Sequence, residues 1–323
     1  MKDRIDKEWN MAPLPKPEKI DPARLAQSYL DGGTDIICVL GPTASGKTRY
    51  AVHLARELEK AGGMKAEIIS ADSRQVYRGM TIGTGKDLEE YGDIPYHLID
   101  IVPAGYKYNI YEYQRDFEAA YRDVRQRGCI PVLCGGSGLY IEAATCGYSL
   151  PEVPADPALR EKLEKEDTGT LVAMLASLKP LHNSTDYDTR KRLIRALEIA
   201  IHEQNSPAAR SGALPKNTYY IGTLVSRDER NRKIDRRLDA RLAEGMVEEV
   251  RRLLDSGIPP EDLIYYGLEY RYVTQYLTGD IDYGTMKERL AIAIHQFAKR
   301  QMTWFRGMER RGIVIHWTET DSI

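Results

Sequence analysis

The apolar residues of this chain follow two alternating rhythms. Compact runs of apolar, often β-branched residues predict strands buried on both faces: Ile36-Ile37-Cys38-Val39-Leu40, Ile68-Ile69, Ile130–Cys134, Tyr219–Val225 and Ile313–Trp317. Between them, apolar positions recur at helical spacing. Val52, Leu54, Ala55, Leu58 and Ala61 predict one amphipathic helix, closed by Gly62-Gly63. Tyr113, Phe117, Ala120, Tyr121 and Val124 predict another, stopped by Gly128. Buried strands alternating with helices predict an α/β fold, a parallel sheet with helices on both faces.

Two stretches depart from this rhythm. Residues 1–33 are polar and carry Pro13, Pro15, Pro17 and Pro22, so they read as an N-terminal extension with one short helix near Arg24–Leu30. Residues 148–214 are charged, rich in helix formers and poor in strands, with Pro151, Pro154 and Pro157 at their entry. They read as a helical insertion domain. The catalytic core is then split into a first part, 34–147, and a second part, 215–323, that ends in basic helices.

Composition narrows the class. The chain has 323 residues, enough for about two domains, and a net charge of −2. No apolar run reaches the length needed to cross a bilayer. The opening MKDRIDKEWN lacks the apolar centre of a signal peptide, which predicts a cytoplasmic protein. The four cysteines, Cys38, Cys129, Cys134 and Cys146, form no CxxC, so a zinc site is not expected. Cys38 and Cys134 lie within apolar runs and read as core. A monomer is the default expectation. The near-neutral total conceals a local basic stretch. Residues 287–311 hold seven basic residues (Lys287, Arg289, Lys299, Arg300, Arg306, Arg310 and Arg311) against two acids, interleaved with Phe297, Trp304 and Phe305. The spacing of these rings predicts mostly core positions, with the basic side chains able to line a phosphate-facing edge.

The strongest chemical signal follows the first strand. Gly41-Pro42-Thr43-Ala44-Ser45-Gly46-Lys47-Thr48 fits G-x-x-x-x-G-K-[ST]. Its glycines let backbone N–H groups turn inward around a phosphate, and the helix that follows presents its N-terminus to the same anion. Lys47 adds a cation, and the Thr48 hydroxyl is suited to Mg²⁺. The motif speaks for a bound pyrophosphate more firmly than for ATP. A P-loop kinase or ATPase would place an acid after an apolar strand to organise Mg²⁺. Here Ile130–Cys134 runs into Gly135-Gly136-Ser137-Gly138, which leaves Asp72 and Asp100 as candidates. Asp72 follows the second strand, in Ser70-Ala71-Asp72-Ser73-Arg74-Gln75-Val76-Tyr77. Loops at the carboxyl ends of strands line the ligand crevice of an open α/β sheet, so Asp72 should face the anion held by Lys47. It can serve as a general base, as a metal orienter or as a helix N-cap. Gln75 carries an amide able to pair with an adenine edge. In Lys191-Arg192-Leu193-Ile194-Arg195, Arg192 and Arg195 share a helix face, and Arg195 can pair with Glu198 as part of a solvated surface.

GPTASGKT, SADSRQVY, IGTGK (82–86), HLIDI (97–101), GGSGLY (135–140), RALE (195–198) and AKRQMTWFR (298–306) occur in this order. The series resembles the bacterial tRNA dimethylallyltransferases, also called tRNA isopentenyltransferases, over roughly residues 35–317. The resemblance implies a P-loop fold turned to prenyl transfer. Dimethylallyl diphosphate would be the donor, with its diphosphate on Gly41–Thr48, and N6 of adenosine 37 in tRNA the acceptor. It implies that Asp72 is the general base, that Lys47 and Thr48 hold diphosphate and Mg²⁺, and that Ser137 stands where the family carries a threonine at the reacting region. It further implies tRNA contacts at Asp72, Ser73, Arg74, Gln75, Ser137, Arg160, Lys191, Arg192, Leu193, Ile194, Arg195, Arg271, Lys299 and Arg300, with the helical insertion on the anticodon stem.

The chain departs from the family's pattern at named positions. Gly85 replaces the Ala of IGTAK, Lys191 a Gln, and Ser137 the Thr. Leu268-Glu269-Tyr270-Arg271-Tyr272 stands where Val-Gly-Tyr-Arg-Gln is usual, so Glu269 puts bulk and charge in place of a glycine. Three other activities fit part of the pattern: prenylation of free AMP or ADP, a small-molecule P-loop kinase, and a catalytically silent tRNA-binding paralogue.

Overall fold

The computed structural model describes residues 14–147, 153–179, 189–205 and 214–320. The start of the N-terminal extension and the edges of the helical insertion, Pro151 included, lie outside the described residues. The chain divides into two compact units, residues 1–147 with 213–323, and residues 148–212.

The larger unit is built on a six-stranded, wholly parallel sheet. Its strands are β1 (Ile36–Leu40), β2 (Ala66–Ser70), β4 (Tyr96–His97), β6 (Ile130–Gly135), β7 (Thr218–Leu224) and β8 (Ile315–Glu319), in the order β4-β2-β6-β1-β7-β8. The central strand β1 pairs Val39 with Cys134 of β6 and with Ile221 of β7. Its side chains alternate between two cores. Ile36, Cys38 and Leu40 pack with Tyr113, Phe117, Tyr121 and Val124 of α3 (Ile110–Gln126), while Ile37 and Val39 pack with Tyr50, Leu54 and Leu58 of α2 (Lys47–Gly62). All five residues of β1 are fully buried, as a strand covered on both faces must be. The extension contributes α1 (Pro22–Leu30), capped by Asp21 and packed through Leu25 and Ala26 on the α2 side. A capping box of Asn109 and Glu112 starts α3 before the first residue of the predicted apolar stripe.

Three short strands were not legible in the pattern. The edge strand β4 and the small sheet formed by β3 (Tyr77–Arg78) and β5 (Val102–Pro103) have two residues each, too few to show a period. Strand β8 begins at Ile315 and not at Ile313, because the Ile313 N–H still closes the preceding helix on the Met308 carbonyl.

After β6 comes α4 (Gly138–Thr145). After β7 come α8 (Arg227–Ala243), α9 (Met246–Asp255), α10 (Pro260–Tyr266), α11 (Leu268–Leu277) and the long α12 (Tyr283–Arg310). Phe305 of α12 is fully buried, but Trp304 is exposed and Phe297 only part-buried, so one ring of the three is core. Trp304 lies against Gly138, where any side chain would overlap its indole, and its Nε1 donates to Glu142.

The smaller unit is helical: α5 (Pro157–Leu163), α6 (Thr168–Leu178) and α7 (Arg190–Asn205). Leu163, Leu171, Leu175, Leu193, Ile194 and Leu197 form its own core.

Candidate active site

The Gly41–Thr48 segment leaves the carboxyl end of β1 and enters α2 as a closed loop. Ala44 and Gly46 both adopt positive φ, 60° and 77°, which turns successive peptides inward. Each side of the loop is tied down. Ser45 Oγ and Thr223 Oγ1 of β7 are hydrogen-bonded at 2.6 Å, and Thr320 Oγ1 donates to the Ser45 carbonyl at 2.9 Å. Gly41 lies against Thr223 so closely that a Cβ would overlap its hydroxyl. At the loop's tip the Thr43 N–H donates to Gln301 Oε1 at 2.8 Å, and Gln301 Nε2 donates to the Gly136 carbonyl at 2.9 Å. One amide on α12 therefore couples the loop after β1 to the loop after β6.

These loops border a cleft of about 230 Å³ lined by Thr43, Ala44, Gly46, Lys47 and Thr48 on one side. Asp72, Ser73, Arg74 and Gln75 line it after β2. Burial makes the Lys47 ammonium easier to deprotonate, and the Asp72 carboxylate works against that shift. The two groups thus feel one another from the carboxyl ends of β1 and β2, the strands on either side of β6. Asp72 Oδ1 accepts the Arg74 N–H at 2.9 Å, which fixes the carboxylate in an Asx-type turn. Ser137 supports the same loop: its Oγ accepts the Ser73 N–H at 3.0 Å and its own N–H donates to the Ala71 carbonyl. Asp100 takes no part, since it is bound to the buried Lys86 ammonium.

The opposite wall comes from distant segments. Arg237 and Arg241, one turn apart on α8, face Gly83, Thr84, Gly85 and Asp87, with Glu269 and Tyr270 of α11 beside them. Arg237 is bound to the Gly85 carbonyl and to Asp87. The Gly83 turn is held by Glu249 of α9, which accepts the N–H groups of Thr81, Ile82 and Gly83 at 2.8–3.0 Å and the Tyr270 hydroxyl at 2.7 Å.

The other predicted contact residues scatter. Gln75 is buried, and its amide bonds Ser70 Oγ and the Gly85 carbonyl, so it is already spent within the protein. Leu193 and Ile194 are buried in the core of the helical unit, which removes their side chains from any surface. In the same unit Arg160 and Arg195 both bind Glu198, at 2.7 and 2.9 Å, while Lys191 and Arg192 are exposed. Arg271, Lys299 and Arg300 are exposed on α11 and α12.

Sequence reasoning missed Arg237, Arg241, Thr223 and Gln301. The arginines lie in a charge-rich helix that resembles a solvated surface, but the buried Ile234 and Leu238 on the same face mark the side that turns inward. Gln301 stood within the quoted AKRQMTWFR stretch, where nothing in the local pattern gave it a partner 258 positions away.

The profile of the family described as IPP transferase matches residues 75–308. A relative in Porphyromonas gingivalis (strain W83), tRNA dimethylallyltransferase 2, is 57% identical over 88% of this chain and 93% of its own. Among solved structures, the full-length tRNA isopentenylpyrophosphate transferase of Bacillus halodurans superposes with a TM-score of 0.63 at 32% identity, covering 88% of this chain and 89% of that one. A eukaryotic dimethylallyltransferase acting on tRNA shares the fold, with a TM-score of 0.71 at 23% identity over 89% of this chain and 74% of that one. A profile match over most of the chain, and a relative 57% identical over 88% of it, place the chain in the IPP transferase family.

Proposed function

We propose that this protein transfers the dimethylallyl group of dimethylallyl diphosphate to N6 of adenosine 37 in tRNA. The observation that carries the proposal is the pairing of Lys47 and Asp72 across one cleft, an anion holder opposite a carboxylate. The relatives, named for tRNA prenylation, supply the substrate class.

The chemistry follows from the groups present. The diphosphate lies on the inward-facing N–H groups of Gly41–Thr48, with Lys47 beside it. The N6 lone pair attacks C1 of the prenyl chain as the C1–O bond breaks, and the electron pair leaves with the diphosphate. Lys47 and the loop's N–H groups stabilise that developing charge. Asp72 accepts the proton that N6 loses, and the products are N6-(dimethylallyl)adenosine and pyrophosphate. Ser137 keeps the Asp72 loop in register. Thr48 offers one hydroxyl for Mg²⁺. The described residues hold no cluster of three or more metal-ligating side chains, so such an ion would take most of its ligands from diphosphate oxygens and water. An adenine must leave its stack to reach the cleft, which is easiest in a loop such as the anticodon's. The exposed Arg271, Lys299, Arg300, Lys191 and Arg192 suit the RNA backbone. Among the described residues no helix is long and apolar enough to cross a membrane; action in the cytoplasm as a monomer completes the proposal.

The test is incubation with labelled dimethylallyl diphosphate, Mg²⁺ and either unmodified tRNA or AMP. Label in tRNA A37 is the expected result. Label in AMP alone would make the enzyme an adenylate isopentenyltransferase. Phosphate release from ATP without prenyl transfer would make it a kinase, and tRNA binding without transfer a silent paralogue.

A further inference from the structure

Two of the sequence departures, Gly85 and Glu269, lie 184 positions apart and meet around a third residue. The Arg241 guanidinium occupies the space above Gly85, where a Cβ would overlap it, and Gly85 itself has φ 59°. Arg241 Nη1 lies 3.9 Å from Glu269 Oε1, and Nη2 lies 3.9 Å from Asp87 Oδ2, both beyond hydrogen-bonding reach. The Arg241 side chain is only 12% exposed, yet its Nη2 is buried with no hydrogen-bond partner among the described residues. A buried guanidinium N–H without an acceptor is destabilising, so such groups persist where something external satisfies them. Arg241 lines the main cleft, and it also lines a side pocket with Thr43, Ala44, Arg237 and Glu269. Thr43 and Ala44 form the tip of the Gly41–Thr48 loop, so the Arg241 side chain shares a pocket with the residues proposed to hold the diphosphate. Glu269 is close enough to steer the guanidinium by charge and too far to saturate it.

We infer that Arg241 is an arginine for the diphosphate end of the donor, admitted by the missing Cβ at Gly85 and steered by Glu269. The inference rests on the proposed prenyl-transfer reading for the identity of the donor. Arg241 donates N–H bonds to terminal phosphate oxygens, which strengthens donor binding and stabilises the leaving pyrophosphate. Gly85 and Arg241 are then coupled, because a side chain at residue 85 expels the Arg241 guanidinium, while also pressing on Arg237.

The experiment uses the full chain and inorganic pyrophosphate with Mg²⁺ as the probe, titrated calorimetrically against the parent, Arg241→Met, Arg241→Lys, Gly85→Ala and the Gly85→Ala/Arg241→Met double variant. Arg241→Met should weaken pyrophosphate binding roughly ten- to a hundredfold, the range of a charge-assisted hydrogen bond. It should also raise KM for dimethylallyl diphosphate while leaving KM for tRNA within twofold. Gly85→Ala should weaken pyrophosphate binding by at least a similar factor, and the double variant should fall well short of the product of the two single effects. Arg241→Lys keeps the stem and charge and should fall between. Its thermal melting tells a weakened site from a damaged fold if Arg241→Met misfolds. Pyrophosphate affinity within twofold of the parent in folded Arg241→Met or Arg241→Lys would overturn the inference, as would effects of Gly85→Ala and Arg241→Met that multiply. A parent that binds pyrophosphate but transfers no prenyl group would instead sink the functional proposal. Arg241 variants would still read out on pyrophosphate.

Discussion

Two arginine–glutamate groups in this molecule are built from the same side chains and do opposite things. In the helical unit, Glu198 is closed: Arg160 and Arg195 both reach it within 2.9 Å, the Asp156 N–H adds a further bond, and its side chain is 1% exposed. In the cleft, Glu269 is open: Arg241 stops at 3.9 Å and keeps a donor unfilled. Saturated ion pairs hold a fold together and have nothing left to offer a ligand. Unsaturated ones cost stability and stay available, which is the usual trade at functional sites. The contrast also reassigns Arg160 and Arg195. Their guanidiniums are committed to Glu198, so their first contribution is to the insertion's structure.

The largest effect that would sharpen this contrast lies on the open side. Asp72→Asn should lower kcat by on the order of 10²–10⁴, the range lost with a general base, while thermal melting stays unchanged. Unchanged turnover would remove Asp72 from proton transfer. On the closed side, Glu198→Ala should destabilise the helical unit by about 3 kcal/mol through loss of a buried, doubly paired carboxylate. Urea denaturation followed by hydrogen exchange in α5 and α7 reads this, and pyrophosphate affinity should stay put. A shift in that affinity would break the comparison.

Next in size is Gln301→Ala. It strands the Thr43 N–H and the Gly136 carbonyl and should cost about 1–2 kcal/mol, seen as a roughly tenfold weaker pyrophosphate affinity with little change in melting. Equal affinity would mean that the loop keeps its shape without that amide.

A pH dependence distinguishes the two groups at smaller amplitude. Burial alone would raise the Glu198 carboxyl. The hydrogen bonds from Arg160, the Asp156 N–H and Arg195 outweigh burial and bring it down to about 2. A carboxyl depressed in the folded state adds stability above its ordinary value of 4.5, and that stability fades as pH falls from there toward 2. The stability gap between the parent and Glu198→Gln should therefore shrink as the pH is lowered from about 6 to about 3. A gap independent of pH would show that the pair is not charged. The net shift is opposite at Glu269, where burial prevails and raises the carboxyl, with Arg241 partly offsetting the rise. The smallest effect belongs to the exposed cations. Lys299→Ala/Arg300→Ala should weaken tRNA binding a few-fold and flatten its salt dependence by about one unit of slope for each phosphate no longer neutralised. An identical slope would place them off the RNA.

What could be read from the sequence follows the same division. The Gly41–Thr48 loop, the strand before it and the helix after it are contiguous, so their chemistry is written in neighbouring residues. The Arg195–Glu198 pair lies within one helical turn and was equally readable. Asp72 was placed by the rule that strand ends line the crevice, and the cleft contains it. The far wall was not readable in the same way. Gly85 and Glu269 stand out in the sequence only as separate departures from the family's pattern and Arg241 not at all, and only the packing of α8 and α11 against the Gly83 turn makes them a group. Gln75 and Ile194 show the converse. Both lie in stretches assigned to tRNA, yet burial spends one on the Ser70 and Gly85 groups and the other on a leucine core.

The bridge made by Gln301 sets an order on the birth of the site. The phosphate loop leaves the ribosome long before the residues that secure its tip and flank, Gln301 and Thr320, are even translated. A chain that ended before α12 would keep the Gly41–Thr48 signature and the Thr223 tie at its flank, but not the amide that fastens its tip. The fastening of the loop's tip is thus among the last parts of the larger unit to be made.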